Sequence, residues 1–195
     1  MGILPQILTT TDGKEHSTDP VSYDLIKKRT VYLIGEVNNE SAISIITQLK
    51  YLDGKSGNDI NLIIDSPGGS VADGLAIHDV MKSLHCDVST IGVGQACSMG
   101  AFLLAAGTHG KRYVTPNTEV MIHQPLGGVK GQATDISLVA AHIETVKQRL
   151  ATILASNCGK ELLEISNLLE RDYWMSAQQA KDFGIADYVG FPNGI

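Results

Sequence analysis

Hydrophobic positions along the chain fall into short runs that alternate with longer stretches of helical period. "TVYLIGEV" (30–37), rich in β-branched and aromatic residues, predicts a strand, and "SAISIITQLKYL" (41–52) sets Ala42, Ile45, Ile46, Leu49 and Leu52 on one helical face. The alternation repeats: "INLIIDS" (60–66) reads as a strand, "VADGLAIHDVMKSL" (71–84) as a helix, and "DVSTIGVG" (87–94) as a third strand that feeds into "GQACSMGAFLLAAG" (94–107). Strand, helix, strand, helix in this order predicts a mostly parallel sheet with right-handed crossovers.

The pattern changes after Pro125. "QPLGGVKGQATD" is glycine-rich and extended, and beyond it Ile136, Val139, Ala140, Ile143, Val146, Leu150 and Leu154 mark one long amphipathic helix, with Asn157 and Gly159 suited to ending it. A helix of about 20 residues reaches about 30 Å, so it is expected to project, and its apolar stripe then needs a partner surface. A shorter helix follows from Lys160 to about Leu169. Ser176 and Gln179 form a capping box for a last helix ending at Gly184, before the strand "ADYV". Residues 9–19 are polar and turn-rich and read as a loop between the apolar patches "ILPQIL" and "VSYDLI".

A chain of 195 residues, 43% apolar and 18% charged, has the size of one globular domain. Its net charge of −6, with no Lys/Arg cluster, argues against a nucleic-acid partner. Cys86, Cys97 and Cys158 are odd in number and lack metal-ligand spacing, which fits a reducing compartment. The first residues carry neither an early positive charge nor an apolar core of signal length. Gly2 lacks the Ser/Thr that myristoylation expects at the sixth position, and the longest apolar stretch is far short of a bilayer span. A cytoplasmic protein without membrane contact is the expectation.

Candidate chemistry gathers at predicted strand ends, where open α/β sheets bind ligands. Ser98, at the head of a small-residue helix, is either a core hydroxyl satisfied by its own backbone or a nucleophile. His123 closes the run Glu119–Ile122 and is the candidate general base. Gly68 and Gly69 can turn backbone N–H groups toward a ligand, and with the Met99 N–H they would form an oxyanion hole. A carboxylate must orient the imidazole, and Asp135, Asp172, Asp182 and Asp187 are the candidates. Spacing does not choose among them, and Asp172, in "ERDYW" between two helical segments, is preferred. His16, His78, His85, His109 and His142 show neither triad nor metal pattern.

Taken together, "DSPGGSVADGLAIHDVM", "GQACSMGAFLLAAGTHGKRYVTPN", "VMIHQPLGG" with "GQATDI", and "ERDYWMSAQQAKDFGIAD" resemble the Clp protease proteolytic subunit from about Val31 to Val189. The resemblance implies a crotonase-like α/β spiral with a projecting handle (about 124–158, its helix Gln132–Asn157), an axial segment at 1–20 and one protease domain at 21–195. It implies a serine endopeptidase with nucleophile Ser98, base His123 and carboxylate Asp172. Gly69 and Met99 match the oxyanion donors, with Gly68 beside them; Leu126 and Gly127 lie on the strand that pairs with bound peptide, and Glu170 and Arg171 at the contact between rings. No metal or cofactor is implied. The implied assembly is two stacked heptameric rings, fed with unfolded polypeptides by an AAA+ unfoldase ATPase.

Several positions depart from the family's usual pattern. Asn61 and Ile63 stand where aromatics that take unfoldase loops are common, Asp65 replaces Asn, Cys97 replaces Ala, Cys86 stands at a common Pro, and "YDLIKKR" is about four residues short. Asn61, Ile63 and the shortened "YDLIKKR" motivate one alternative, a weakly active ring subunit that needs a paralogous ring. A crotonase-type acyl-CoA hydratase or isomerase is another, opposed by the complete Ser-His-Asp set.

Overall fold

A central sheet of parallel strands is assembled from the predicted alternation, in the order β3 (Thr30–Ile34), β4 (Ile60–Ser66), β5 (Val88–Cys97), β6 (Arg112–Val114), β9 (Tyr188–Val189). The structure, a computed structural model, describes residues 5–11 and 13–192. The remaining residues of the axial segment and of the C-terminus, with Gly2 among them, lie outside the described residues.

The helices between the strands form where their caps and faces dictate. Asn38 and Ser41 make a reciprocal capping box at the start of α2 (Asn39–Asp53), whose Ala42, Ile45, Leu49 and Leu52 are buried. Ser70 caps α3 (Val71–Ser83), and α4 (Met99–Ala105) is buried at every position. β4 is covered on both faces, so its apolar residues run without alternation, as in other parallel sheets. The core is one cluster shared by β3, β4, β5 and the facing sides of α2, α3 and α4, closed by the ends of α5 (Ala133–Cys158) and α7 (Ala177–Phe183).

β5 forks. Thr90–Gly92 pair with β6, whereas Gln95–Cys97 pair in parallel with β7 (Glu119–Ile122), which leaves the main sheet and pairs antiparallel with β8 (Tyr173–Met175). The fork follows from a register shift against β4 between Ile64 and Ser66. Gly94 is left-handed there (φ 63°), and the Asp65 carboxylate beside it accepts the Gln95 N–H at 3.2 Å.

Arg112, 3% exposed, locks the far side of this arrangement. Its guanidinium donates to the carbonyls of Ala105, Asn157 and Gly184, which end α4, α5 and α7, and to Asp187. Burial alone would raise the Asp187 carboxyl, but the hydrogen bonds from Arg112 outweigh it and hold the group below the usual carboxylate range.

Two features differ from the sequence reading. Residues 9–19 are not a loop: β1 (Ile7–Thr11) and β2 (Lys14–Thr18) form an antiparallel hairpin, Thr11 opposite Lys14, with Gly13 left-handed (φ 73°) just before the second strand. Both strands are too polar to show the alternation of a half-buried strand. The long helix is one 26-residue element, but its predicted stripe is buried only from Leu150 onward. Ile136 and Leu138 face solvent. Before β3 lies α1 (Pro20–Lys27), and α6 (Leu162–Leu168) follows the Gly159 cap of α5.

Candidate active site

Three strand ends converge on one point. Cys97 of β5 is opposite Met121 of β7, and Ile122 of β7 is opposite Tyr173 of β8. In an antiparallel pair the residue after Ile122 faces the residue before Tyr173, so register alone sets His123 across from Asp172. Ser98, the residue after Cys97, joins the same frame by donating its N–H to the Met121 carbonyl at 2.7 Å.

The side chains form a continuous relay. Ser98 Oγ lies 2.8 Å from His123 Nε2, and His123 Nδ1 lies 3.1 Å from Asp172 Oδ1. A carboxylate on Nδ1 favours the tautomer protonated there, which leaves Nε2 to accept the serine proton. Asp135, Asp182 and Asp187 are not in the relay: Asp135 is in the first turn of α5, Asp182 accepts from Gln178 and Asp187 binds Arg112.

Backbone sterics fix the serine. Ser98 has φ 54° and ψ −119°, a left-handed conformation that a residue with a Cβ adopts only under constraint. The turn projects its Oγ out of the corner between β5 and α4. The "SPGG" turn packs against it from β4. A Cβ on Gly68 would sit 2.5 Å from the Ser98 Cβ, and one on Gly69 would sit 2.2 Å from the Val37 carbonyl oxygen. With φ at 94° and 146°, both positions require glycine. The Gly68 N–H donates to Ser66 Oγ at 3.1 Å, whereas no hydrogen bond among the described residues engages the Gly69 N–H. The Met99 N–H, in the first turn of α4, has no intrahelical acceptor.

Hydrogen bonds, by contrast, hold the carboxylate. Asp172 is 59% exposed, against 15% for His123. Its loop is tied down by Gln124, whose N–H donates to the Leu169 carbonyl at 2.7 Å and whose Nε2 donates to the Glu170 carbonyl at 3.1 Å. Glu170 pairs with Lys147 of α5, and Arg171 donates to the Glu170 carbonyl. The Lys147 ammonium holds the Glu170 carboxyl below its usual range.

Beside the relay is a cavity of about 30 Å³ walled by Val71, Met99, Phe102, Leu150, Leu154 and Leu169. The glycine-rich segment borders it: Leu126 is 85% exposed, and Gly127 backs closely on Ile143 of α5. Residues 125–131 form no strand. The Cys97 thiol is buried, and burial raises its pKa, which disfavours the thiolate a nucleophile needs.

The model of the Clp protease family matches residues 12–193. The chain belongs to the Clp protease family. It is a Clp-type peptidase, hence a hydrolase, and its mixed α/β fold with a parallel sheet is the crotonase-like one. Among the described residues no helix is long and apolar enough to cross a membrane.

Within this Clp protease the unusual positions have plain local environments. Ile63 is buried in β4, Asn61 donates to the Lys28 carbonyl at 3.3 Å, and Asp65 fills the notch beside Gly94. Cys86 donates to the Ser56 carbonyl at 3.0 Å. Residues important to the site that sequence reasoning passed over are Ser66, Gln124 and Lys147. Ser66, before Pro67, carries the signal of a serine-stabilised turn. The other two act across the fold and leave no local trace.

Proposed function

We propose that this chain is a serine endopeptidase in which Ser98, His123 and Asp172 are the catalytic residues. The observation that carries the reading is the unbroken relay from Ser98 Oγ through both imidazole nitrogens to Asp172. Ser98 Oγ attacks the scissile carbonyl while His123 Nε2 takes its proton. The tetrahedral oxyanion lies against the Gly69 and Met99 N–H groups, and Gly68, whose own N–H serves Ser66, shapes the turn. The imidazolium then protonates the leaving amine, and a water repeats the sequence to release the acyl group. Asp172 keeps its charge throughout and orients the ring.

The substrate is an unfolded polypeptide. The backbone of the segment at Leu126 and Gly127 pairs with an extended chain with little demand on sequence. The working particle is two stacked heptameric rings in the cytoplasm, fed by an AAA+ unfoldase through the ATP-dependent step. The axial segment (1–20) lies at the pore, the body (21–195) forms the chamber wall, and Glu170 and Arg171 lie at the contact between rings. The exposed apolar residues of the first half of α5 support burial against another subunit. A fluorophosphonate probe tests the chemistry: the native protein labels at Ser98 and hydrolyses short fluorogenic peptides. Absence of labelling in a fully assembled, peptide-cleaving sample refutes the assignment.

A further inference from the structure

Lys147 stands just before α5 enters the core: Leu150, Ala151, Leu154 and Ala155 are buried, and Lys147 itself has a side chain only 15% exposed. Its ammonium reaches Glu170, on the loop whose next residues are Arg171 and Asp172. Both ends of that contact are otherwise constrained. On the loop side, Gln124 fixes the Leu169 and Glu170 carbonyls from the strand that carries His123. On the helix side, Gly127, four residues past His123, packs closely against the side chain of Ile143, one turn from Lys147. The charged neighbours of the pair are Glu144 on α5 and Arg171 on the loop. The loop that carries Glu170 and Asp172 is thus held by the β7–β8 ladder and the Gln124 hydrogen bonds on one side and by this ion pair on the other.

We infer that Lys147 is a positioning residue for the peptidase reaction, setting the distance between Asp172 and His123 by holding Glu170 to α5. The inference rests on the serine-peptidase reading. Glu170 is half exposed, so the pair adds little to global stability. Its effect is on geometry, and a displacement of about 1 Å in a catalytic group can cost on the order of a hundredfold in rate. Acting by way of the Glu170–Asp172 loop, Lys147 changes the proton transfer and leaves the peptide-binding surface intact.

The test compares the native protein with Lys147→Met, which keeps the aliphatic stem, and Lys147→Arg, which restores the charge. Peptide turnover, fluorophosphonate labelling and sedimentation are measured on the same samples. Lys147→Met is expected to lower kcat and labelling rate about tenfold or more with KM, Tm and sedimentation unchanged, and Lys147→Arg to recover most of the loss. Native kcat in Lys147→Met overturns the inference, as does a loss that appears only together with a changed particle size or that Lys147→Arg fails to repair. A native protein that does not label while cleaving peptides would instead overturn the serine-peptidase reading, so the two failures are separable.

Discussion

The two sides of the relay are held in different ways. The serine side is fixed by steric exclusion: a left-handed Ser98, two glycines that cannot accept a Cβ, and a helix behind them that is buried at every position. That helix is gripped at its far end too, where Arg112 and Lys82 donate to the Ala105 and Ala106 carbonyls. The carboxylate side is a loop held by hydrogen bonds, by the short β7–β8 ladder and by one ion pair, and its Asp172 and Glu170 carboxylates are more than half exposed to water. Sterics have no cheap alternative state, whereas exposed polar contacts do. Disturbance of the site is therefore expected to enter through Asp172, with Ser98 as the fixed reference.

The sharpest break removes, on the fixed side, the hydroxyl proposed to attack. Ser98→Ala is expected to lower peptide hydrolysis by on the order of 10⁶-fold with assembly intact, as read from turnover and sedimentation on one sample. On the other side, Asp172→Asn is expected to lower kcat on the order of 10²- to 10³-fold. The smaller loss follows from an exposed carboxylate whose orienting role water can partly fill. Equal losses in the two variants would erase the contrast.

Stability sharpens the comparison from another direction. Asp187→Asn removes the charged partner of a buried Arg112 and is expected to lower Tm by roughly 5–10 °C at pH 7, measured by calorimetry. The Asp187 carboxyl is held below its usual range by Arg112, so its contribution is fully present above the unfolded value near 3.9 and is lost as pH falls through the folded one. The Tm gap between native protein and variant is expected to stay constant from pH 7 to 5 and to close below about pH 4. The smallest effect belongs to Cys97→Ala: less than about twofold on turnover, because the thiol is buried and its pKa is raised. A larger fall would assign Cys97 a share in the chemistry.

The framework from β3 through α4 was legible because each element there is buried on a definite face, and burial is what periodicity records. Ile45, Leu49 and Leu52 recur at helical spacing, and β4 reads as an unbroken apolar run. β6 and β8, three residues each, were not foreseen, since so short a run has no period to read. Asp172 was preferred among four aspartates and named by the resemblance, but spacing could not select it. Its neighbour across the site is set by the pairing of Ile122 with Tyr173, a register between strands about 50 residues apart that no local pattern encodes. Ser98 could be singled out as a hydroxyl among small residues, but its left-handed backbone is visible only once Gly68 presses against it.

That backbone angle also limits what this molecule can become by mutation. A threonine at 98 would keep a hydroxyl for the imidazole, yet a branched Cβ at φ 54° collides with its own main chain. On the proposed serine-peptidase chemistry, the shape of the corner therefore disfavours threonine as the attacking alcohol before any reactivity is compared.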